Sequence, residues 1–135
     1  KYAKLPYIEV SMSISESTEM YLETILVLSK KGIVRSIDIA NEMNFSRPTI
    51  SVTVHNLEKD GFIKIAEDGS ITLEEKGLQI AKTIYERHTT LSALVEKIGG
   101  PSDIAAKDAC KIEHDISPET FDCIKKIIKN NKDLR

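Results

Sequence analysis

The strongest constraint on the fold is a pair of amphipathic segments separated by a short polar turn at residues 44–46. Residues 36–43 carry apolar side chains at the spacing of one helical face. A second helix is predicted to open at Ser46, because Pro48 then falls in its first turn, where proline is favoured, and to end at Gly61. This length and spacing are typical of a helix-turn-helix.

The segments on either side extend this motif. A preceding helix is predicted with Ser17 or Thr18 as its N-terminal cap and Gly32 as its end. After the motif, residues 62–65 and 70–73 alternate apolar and polar side chains around a Glu-Asp-Gly turn, which predicts a small β-hairpin. Three helices followed by a two-stranded ribbon indicate a winged helix-turn-helix.

The rest of the chain predicts further helices. A long helix is expected from Lys76 to Ile98, where a Gly-Gly-Pro sequence ends it, and shorter helices are expected at 104–114 and 118–129. The predicted fold class is therefore mainly α, with an N-terminal winged helix-turn-helix followed by an all-helical domain. The predicted divisions are an extension of no assigned role at residues 1–13, the winged helix at 14–75 and the helical domain at 76–135.

Composition excludes several classes of protein. The chain is 41% hydrophobic and can bury a core, but it has no apolar run of the ~18 residues that a membrane-spanning helix needs. Its first residues lack the apolar stretch of a signal peptide, so we expect a cytoplasmic protein with no membrane partner and two reduced cysteines. Aromatic residues make up only 5%, which disfavours a base-stacking platform for single strands.

The start of the second motif helix carries side chains suited to double-stranded DNA. In a helix-turn-helix the second helix lies in the major groove, where its first residues meet base edges. Arg47 can donate two hydrogen bonds to guanine, and Pro48 can press against a thymine methyl group. The same Ser-Arg-Pro-Thr run is also a capped helix start of a kind found in every class of protein. The candidate DNA-binding residues are Ser46, Arg47, Pro48, Thr49 and Ser51, with Lys59 at the far end of the helix within reach of phosphate.

The charge of the predicted winged helix opposes non-specific DNA binding. Residues 14–75 hold six Lys or Arg against eleven Asp or Glu, a net charge of −5, whereas a strong non-specific DNA binder is basic. Several of these acids, including Glu19 and Glu23, lie on the first predicted helix. A cation bound there would offset part of the repulsion from DNA.

A second set of side chains has the spacing of metal ligands. Cys110, Glu113 and His114 are three and four residues apart, so one helical face would project a thiolate, a carboxylate and an imidazole. Similar spacing on the first helix, with a histidine on the long helix, would let three helices converge on one divalent cation. The spacing also allows a structural alternative, with Cys110 as core packing and His114 beside a helix dipole. The candidate metal ligands are Met20, Glu23, His88, Cys110, Glu113 and His114.

Short motifs distributed along the chain give a further indication of function. They are Thr18-Glu-Met-Tyr-Leu-Glu-Thr-Ile25, Asp38-Ile-Ala40, Ser46-Arg-Pro-Thr-Ile-Ser51, Asp60-Gly61, Glu75-Lys-Gly77, Arg87-His88 and Cys110-Lys-Ile-Glu-His114. Over residues 17 to about 130 the chain resembles the diphtheria toxin repressor family of metal-dependent transcriptional regulators, including its manganese-transport branch. The resemblance implies a two-domain homodimer that binds palindromic operators when Fe²⁺ or Mn²⁺ is plentiful.

The resemblance also assigns metal ligands position by position. The manganese branch has carboxylates at two positions where this chain has the sulfur-containing Met20 and Cys110. Thioether and thiolate are soft ligands that favour Fe²⁺, whereas Mn²⁺ prefers carboxylate oxygen, so this pair favours iron as the activating ion. The primary site that the family implies falls on Met20, Cys110, Glu113 and His114.

A second ion has two possible arrangements. The ancillary site of the iron-sensing branch would use His88, but the partner positions hold Ser92 and Ala106 in place of an acid and a histidine. The alternative resembles the manganese branch, in which Glu23 and His88 would hold a second ion with Glu113 as a bridge. The chain therefore combines features of both branches.

We therefore expect a metal-activated, sequence-specific repressor of metal homeostasis that uses Fe²⁺ or Mn²⁺ as cofactor. One alternative is a manganese-specific regulator. Another is a winged-helix regulator that responds to no metal or to a small organic ligand, with Cys110 and His114 only structural. An enzyme with Cys110 as nucleophile and His88 or His114 as base is disfavoured, because nothing marks a substrate cleft or an oxyanion hole.

Overall fold

A computed structural model describes residues 14–130 of the chain, and the N-terminal extension predicted at residues 1–13 lies outside them. Within this part the predicted fold class is confirmed, with six α-helices and one two-stranded antiparallel sheet. In chain order the elements are α1 (Glu16–Ser29), α2 (Ser36–Met43), α3 (Arg47–Lys59), β1 (Ile63–Ile65), β2 (Ile71–Leu73), α4 (Glu75–Lys97), α5 (Ser102–Ile112) and α6 (Pro118–Asn130).

The start of α1 differs from the predicted one. Ser15 is the N-terminal cap, where Ser17 or Thr18 was predicted, and its Oγ accepts a hydrogen bond from the amide of Thr18 at 3.1 Å. The physical reason is that Thr18 occupies the third helical position, where its amide needs an acceptor and its hydroxyl also lies 2.9 Å from Ser15 Oγ. Thr18 is therefore part of the capping interaction as the residue whose amide is bound, and the cap itself is Ser15.

The first three helices form the predicted helix-turn-helix. α2 packs against both α1 and α3. The turn between α2 and α3 is tight because Asn44 adopts a left-handed φ of 57° and the Phe45 amide donates to the Ala40 carbonyl at 3.1 Å. The buried side chains of this core include Leu22, Ile25, Ile39, Ile50 and Val54.

β1 and β2 form the predicted wing. The two strands are antiparallel, with Ile63 opposite Leu73 and Ile65 opposite Ile71. The amide of Ile71 also donates to the carbonyl of Val34 at 2.8 Å, so the segment before α2 bridges to the hairpin. These backbone hydrogen bonds fix the wing against the helix-turn-helix.

Asp68 stabilises the turn at the tip of the wing. Its carboxylate accepts hydrogen bonds from the Ser70 hydroxyl at 2.7 Å and the Ser70 amide at 3.0 Å, and Arg35 Nη2 lies 3.6 Å away. The hydrogen bonds from Ser70, and to a smaller extent the charge of Arg35, lower the pKa of Asp68 from its ordinary value. Arg35 is therefore paired with an acid of the wing.

The described chain divides into two compact units, and the division falls within α4 between Lys82 and Thr83. In the first unit, the start of α4 lies so close to the main chain of Phe62 that a side chain at Gly77 would overlap its carbonyl oxygen. No helix in the described part of the chain has the length and apolar character needed to span a membrane. The second unit is helical, and its buried side chains include Ile84, Leu91, Ala105, Ala109 and Phe121.

Candidate metal centre and nucleic-acid interface

The second unit contains a fully buried carboxylate, that of Glu113, which is 0% exposed. Its Oε2 lies 2.9 Å from Nδ1 of His88, on α4. Its Oε1 lies 3.4 Å from Nε2 of the neighbouring His114. Burial of a carboxylate is strongly unfavourable without polar partners, and the imidazole of His88 is one such partner, at hydrogen-bond distance. Each oxygen of this carboxylate therefore faces a different histidine.

The predicted end of the helix at His114 is wrong, because α5 ends before Glu113. α5 ends at Ile112, so Glu113 and His114 lie in the turn that follows, whereas the spacing predicted both on one helix with Cys110. The helix ends early because the amide of Asp115 donates to the carbonyl of Ile112 at 2.9 Å and closes a tight turn. Glu113 still has helical backbone angles and its amide donates to a carbonyl of α5, so it lies one turn beyond Cys110.

Arg87 holds the turn that follows α5. Its buried side chain donates two hydrogen bonds from Nη1, to the carbonyl oxygens of Glu113 at 2.9 Å and Ile116 at 2.8 Å. The guanidinium also lies over the ring of Phe121, 5.5 Å from its centroid. Because Arg87 directly precedes His88, α4 supplies both the imidazole that faces Glu113 and the donor that holds its main chain.

Sequence reasoning missed this role of Arg87. The residue was recognised only as part of an Arg-His motif. Its hydrogen-bond acceptors lie 26 and 29 residues further along the chain, and such a distant contact leaves no periodic pattern in the sequence. The one available signal was an arginine on the apolar side of a predicted helix, where an unpaired charge is unfavourable.

The side chains of the second unit are chemically suited to a divalent transition metal. Imidazole nitrogen suits iron, zinc, copper and nickel, carboxylate oxygen suits manganese, and thiolate sulfur is a soft donor. His88 and His114 both adjoin the buried Glu113 carboxylate, and Cys110 is half-buried in the last turn of α5. The residues present therefore fit a metal ion.

Two of the predicted ligands belong to the first unit. Met20 and Glu23 belong to the first unit, where both are half-buried and three residues apart on α1. Ser92 and Ala106 provide neither a carboxylate nor an imidazole. Ser92 Oγ is buried with no hydrogen-bond partner among the described residues.

α3 opens with the predicted serine cap. Ser46 Oγ accepts a hydrogen bond from the Thr49 amide at 3.4 Å and lies 2.8 Å from Thr49 Oγ1. Arg47, Pro48 and Ser51 are exposed beside this cap. The first turns of α3 thus have a structural function at Ser46 and Thr49, and they leave three neighbouring side chains accessible.

An exposed stripe runs along α3 at a spacing of four residues, through Arg47, Ser51, His55 and Lys59. His55 was not among the predicted residues. Its Nδ1 donates to the carbonyl of Ser51 at 2.7 Å, since a carbonyl can only accept, so the ring lies along the helix. His55 lies four residues after Ser51 and four before Lys59, and this spacing was the signal that could have identified it.

Two family models together match most of the chain. Residues 13–71 match the N-terminal DNA binding domain of iron dependent repressors, and residues 74–133 match their metal binding and dimerisation domain. The chain belongs to the diphtheria toxin repressor family. Members of this family are transcriptional regulators and not enzymes, as the sequence indicated.

Individual relatives overlap with the chain to different extents. The iron-dependent repressor IdeR of Mycobacterium tuberculosis is 34% identical over 117 residues, which are 85% of this chain and 51% of IdeR. The diphtheria toxin repressor of Corynebacterium diphtheriae is 32% identical over 85% of this chain and 52% of that protein. The chain thus spans about half the length of these curated relatives. The HTH-type transcriptional regulator MJ0568 of Methanocaldococcus jannaschii is 31% identical, over 88% of this chain and 98% of that protein.

Solved structures show the same fold. A manganese-dependent transcriptional repressor in complex with manganese matches with a TM-score of 0.75 at 23% identity, over 83% of this chain and 52% of that one. The IdeR structure from T. acidophilum has a TM-score of 0.66 at 25% identity, over 89% of this chain and 55% of that one. The iron and manganese in the names of these relatives describe the relatives themselves.

We expect Arg87→Met to lower the free energy of unfolding by roughly 2–4 kcal/mol, because methionine leaves the carbonyls of Glu113 and Ile116 without their buried donor. Lys125→Met is the matched control. Lys125 Nζ lies 5.5 Å from the centroid of the same Phe121 ring but at the surface, so its loss should cost under about 0.5 kcal/mol. Urea unfolding of the metal-free variants measures both values, and equal values would contradict the assigned role of Arg87.

Proposed function

We propose that this protein is a metal-activated repressor that controls metal-ion homeostasis from the cytoplasm. It binds a palindromic operator in double-stranded DNA as a homodimer when Fe²⁺ or Mn²⁺ is available. The observation that carries this proposal is the buried Glu113 carboxylate with His88 and His114 at its two oxygens, in a chain whose other unit is a winged helix-turn-helix.

Glu113 is proposed as the central metal ligand. Its two oxygens face two different imidazoles, at 2.9 and 3.4 Å, which is the arrangement a carboxylate needs to bridge two ions. The first ion would be held by Met20, Cys110, Glu113 and His114. The second would be held by Glu23, His88 and the same Glu113 carboxylate.

Metal binding is proposed to change the hydrogen bonds of Glu113. A carboxylate and an imidazole must offer lone pairs to a metal, so an ion would replace the hydrogen bond between His88 and Glu113. Arg87 would keep the main chain of this turn in place during the exchange, since its bonds are to carbonyl oxygens. These hydrogen bonds use main-chain oxygens and none of the proposed ligand atoms.

The proposed ligands come from both units, which gives the metal a way to affect DNA binding. Met20 and Glu23 lie on α1 of the first unit, and the other ligands lie in the second. An ion bonded to both sets would add a link between them. A metal that favours the DNA-binding arrangement must, by thermodynamic reciprocity, bind more tightly when DNA is present.

DNA binding is proposed for residues 14–75, with α3 in the major groove. Arg47 and Ser51 would bind base edges, and Pro48 would contact a thymine methyl group. The residues that would bind phosphate are Ser46 and Thr49 at the start of α3 and Lys59 at its end. The helices of residues 76–135 would form the two-fold dimer. Two copies of α3 would then reach major grooves about 34 Å apart, which matches a palindromic operator.

Iron is the proposed activating ion, because Met20 and Cys110 would supply two soft sulfur ligands. A manganese-specific regulator is the alternative, and the oxygen ligand of Glu23 favours it. A winged-helix regulator that responds to no metal is the second alternative, and it predicts equal operator binding with and without a chelator.

We expect metal to raise operator affinity by about 5- to 150-fold, the usual range of coupling between two binding sites. In Glu113→Gln this increase should disappear, because an amide oxygen is a much weaker metal ligand than a carboxylate. Asp115→Asn, an exposed change in the same turn, is the matched control and should retain the increase. Fluorescence anisotropy with the upstream region of a metal-transport gene, in chelator, Fe²⁺ or Mn²⁺ without oxygen, measures the response. Tight operator binding by the unmodified protein in chelator would contradict the proposal.

Metal preference gives a separate prediction. Met20→Asp combined with Cys110→Glu would make the site rich in oxygen, and we expect it to shift the response at least about tenfold towards Mn²⁺ relative to Fe²⁺. Cys123→Glu, which changes an exposed cysteine on α6, should not alter the ratio. The measurement is the free metal concentration at half-maximal operator binding for each ion. Activation of the unmodified protein at lower Mn²⁺ than Fe²⁺ would contradict the choice of iron.

A further inference from the structure

Val52 interrupts the amphipathic pattern of α3. The other β-branched and aliphatic apolar side chains of this helix, Ile50, Val54 and Leu57, are all buried in the core of the first unit. Val52 is 63% exposed. Pro48, one turn earlier on the same face, is exposed as well. The accessible face of α3 thus includes an apolar pair that the core of the fold does not use.

The polar groups around this pair are largely engaged within α3 itself. The hydroxyls of Ser46 and Thr49 lie 2.8 Å apart in the cap. Thr53 Oγ1 donates to the carbonyl of Thr49 at 3.0 Å, and His55 Nδ1 donates to that of Ser51 at 2.7 Å. The hydroxyls of Thr49 and Thr53 beside Val52 are thus engaged within the helix, and Val52 itself offers apolar contact.

We propose that Val52 is a specificity-determining residue that reads the C5-methyl group of a thymine in the major groove. The inference rests on the proposed function, in which α3 binds DNA. Thymine is the one base that presents an apolar group at the major-groove edge. Adenine and cytosine present an amino group there, which would lose its water against a valine methyl without gaining an acceptor. Val52 therefore selects for thymine and against both.

Val52 would contact DNA differently from Arg47 and Lys59. Valine has no donor and no charge, so it cannot contribute to phosphate binding or to the salt dependence of affinity. Its contribution is confined to the identity of one base. In a winged helix whose net charge is −5, such apolar selection adds specificity without adding positive charge.

The experiment begins with a selection from random duplex DNA in the presence of Mn²⁺ or Fe²⁺. Each thymine of the enriched sequence is then replaced singly by deoxyuridine, which removes only the C5-methyl group. At the thymine that Val52 reads, we expect affinity to fall roughly fourfold, the effect of one buried methyl group. In Val52→Ala the same replacement should change affinity by less than about 1.5-fold, because the contact is already lost.

Ile33→Ala is the matched control. Ile33 is a similarly exposed apolar residue of the same unit, 69% accessible, but it lies in the loop between α1 and α2. This variant should respond to deoxyuridine as the unmodified protein does. Circular dichroism checks that both alanine variants remain folded.

The outcomes separate this inference from the proposed function. If no sequence is enriched with either metal, DNA binding itself fails and Val52 has no role in it. If a sequence is enriched but its deoxyuridine effects are the same in Val52→Ala as in the unmodified protein, the proposed function stands and the thymine contact is wrong. A Val52→Ala variant that alters only the oligomeric state, with base preference unchanged, would also overturn the inference.

Discussion

A carboxylate in the interior of a small helical unit must be paired, and the pairing of Glu113 organises much of what surrounds it. His88 on α4 and His114 in the turn after α5 lie at its two oxygens. Arg87 holds the main chain of that turn through two carbonyl oxygens. These contacts also gather imidazole and carboxylate donors in one place, which is why a divalent ion fits there.

The elements with local signals could be predicted from the sequence. Pro48 after Ser46 marked the start of α3, and the alternation on either side of Gly69 marked the wing. The end of α5 could not be predicted, because the spacing of Cys110, Glu113 and His114 fits a continuous helix. The turn after α5 is closed by the hydrogen bond from the Asp115 amide to the Ile112 carbonyl, and it is held by the contacts of Arg87. Neither interaction leaves a periodic pattern in the sequence.

For the candidate site, too, one part could be predicted from the sequence and another part could not. The types and spacing of the proposed ligands were visible in the sequence, because imidazole, thiolate and carboxylate are uncommon together on one face. The opposed positions of His88 and His114 about Glu113 depend on contacts between α4 and the turn after α5, which are distant in the sequence, and they were not visible. On α3, Arg47 and Lys59 were identified from the sequence, but the exposure of Val52 required the structure, since a valine in a helix is usually buried.

The central claim is that Glu113 is a metal ligand and not only a buried acid with histidine partners. Anomalous X-ray diffraction tests it most directly, with crystals grown in Mn²⁺ and data collected on both sides of the manganese absorption edge. We expect manganese bonded to the Glu113 carboxylate, with His88 or His114 as a further ligand and the hydrogen bond between His88 and Glu113 replaced. Manganese bound elsewhere, with that hydrogen bond intact, would contradict the claim.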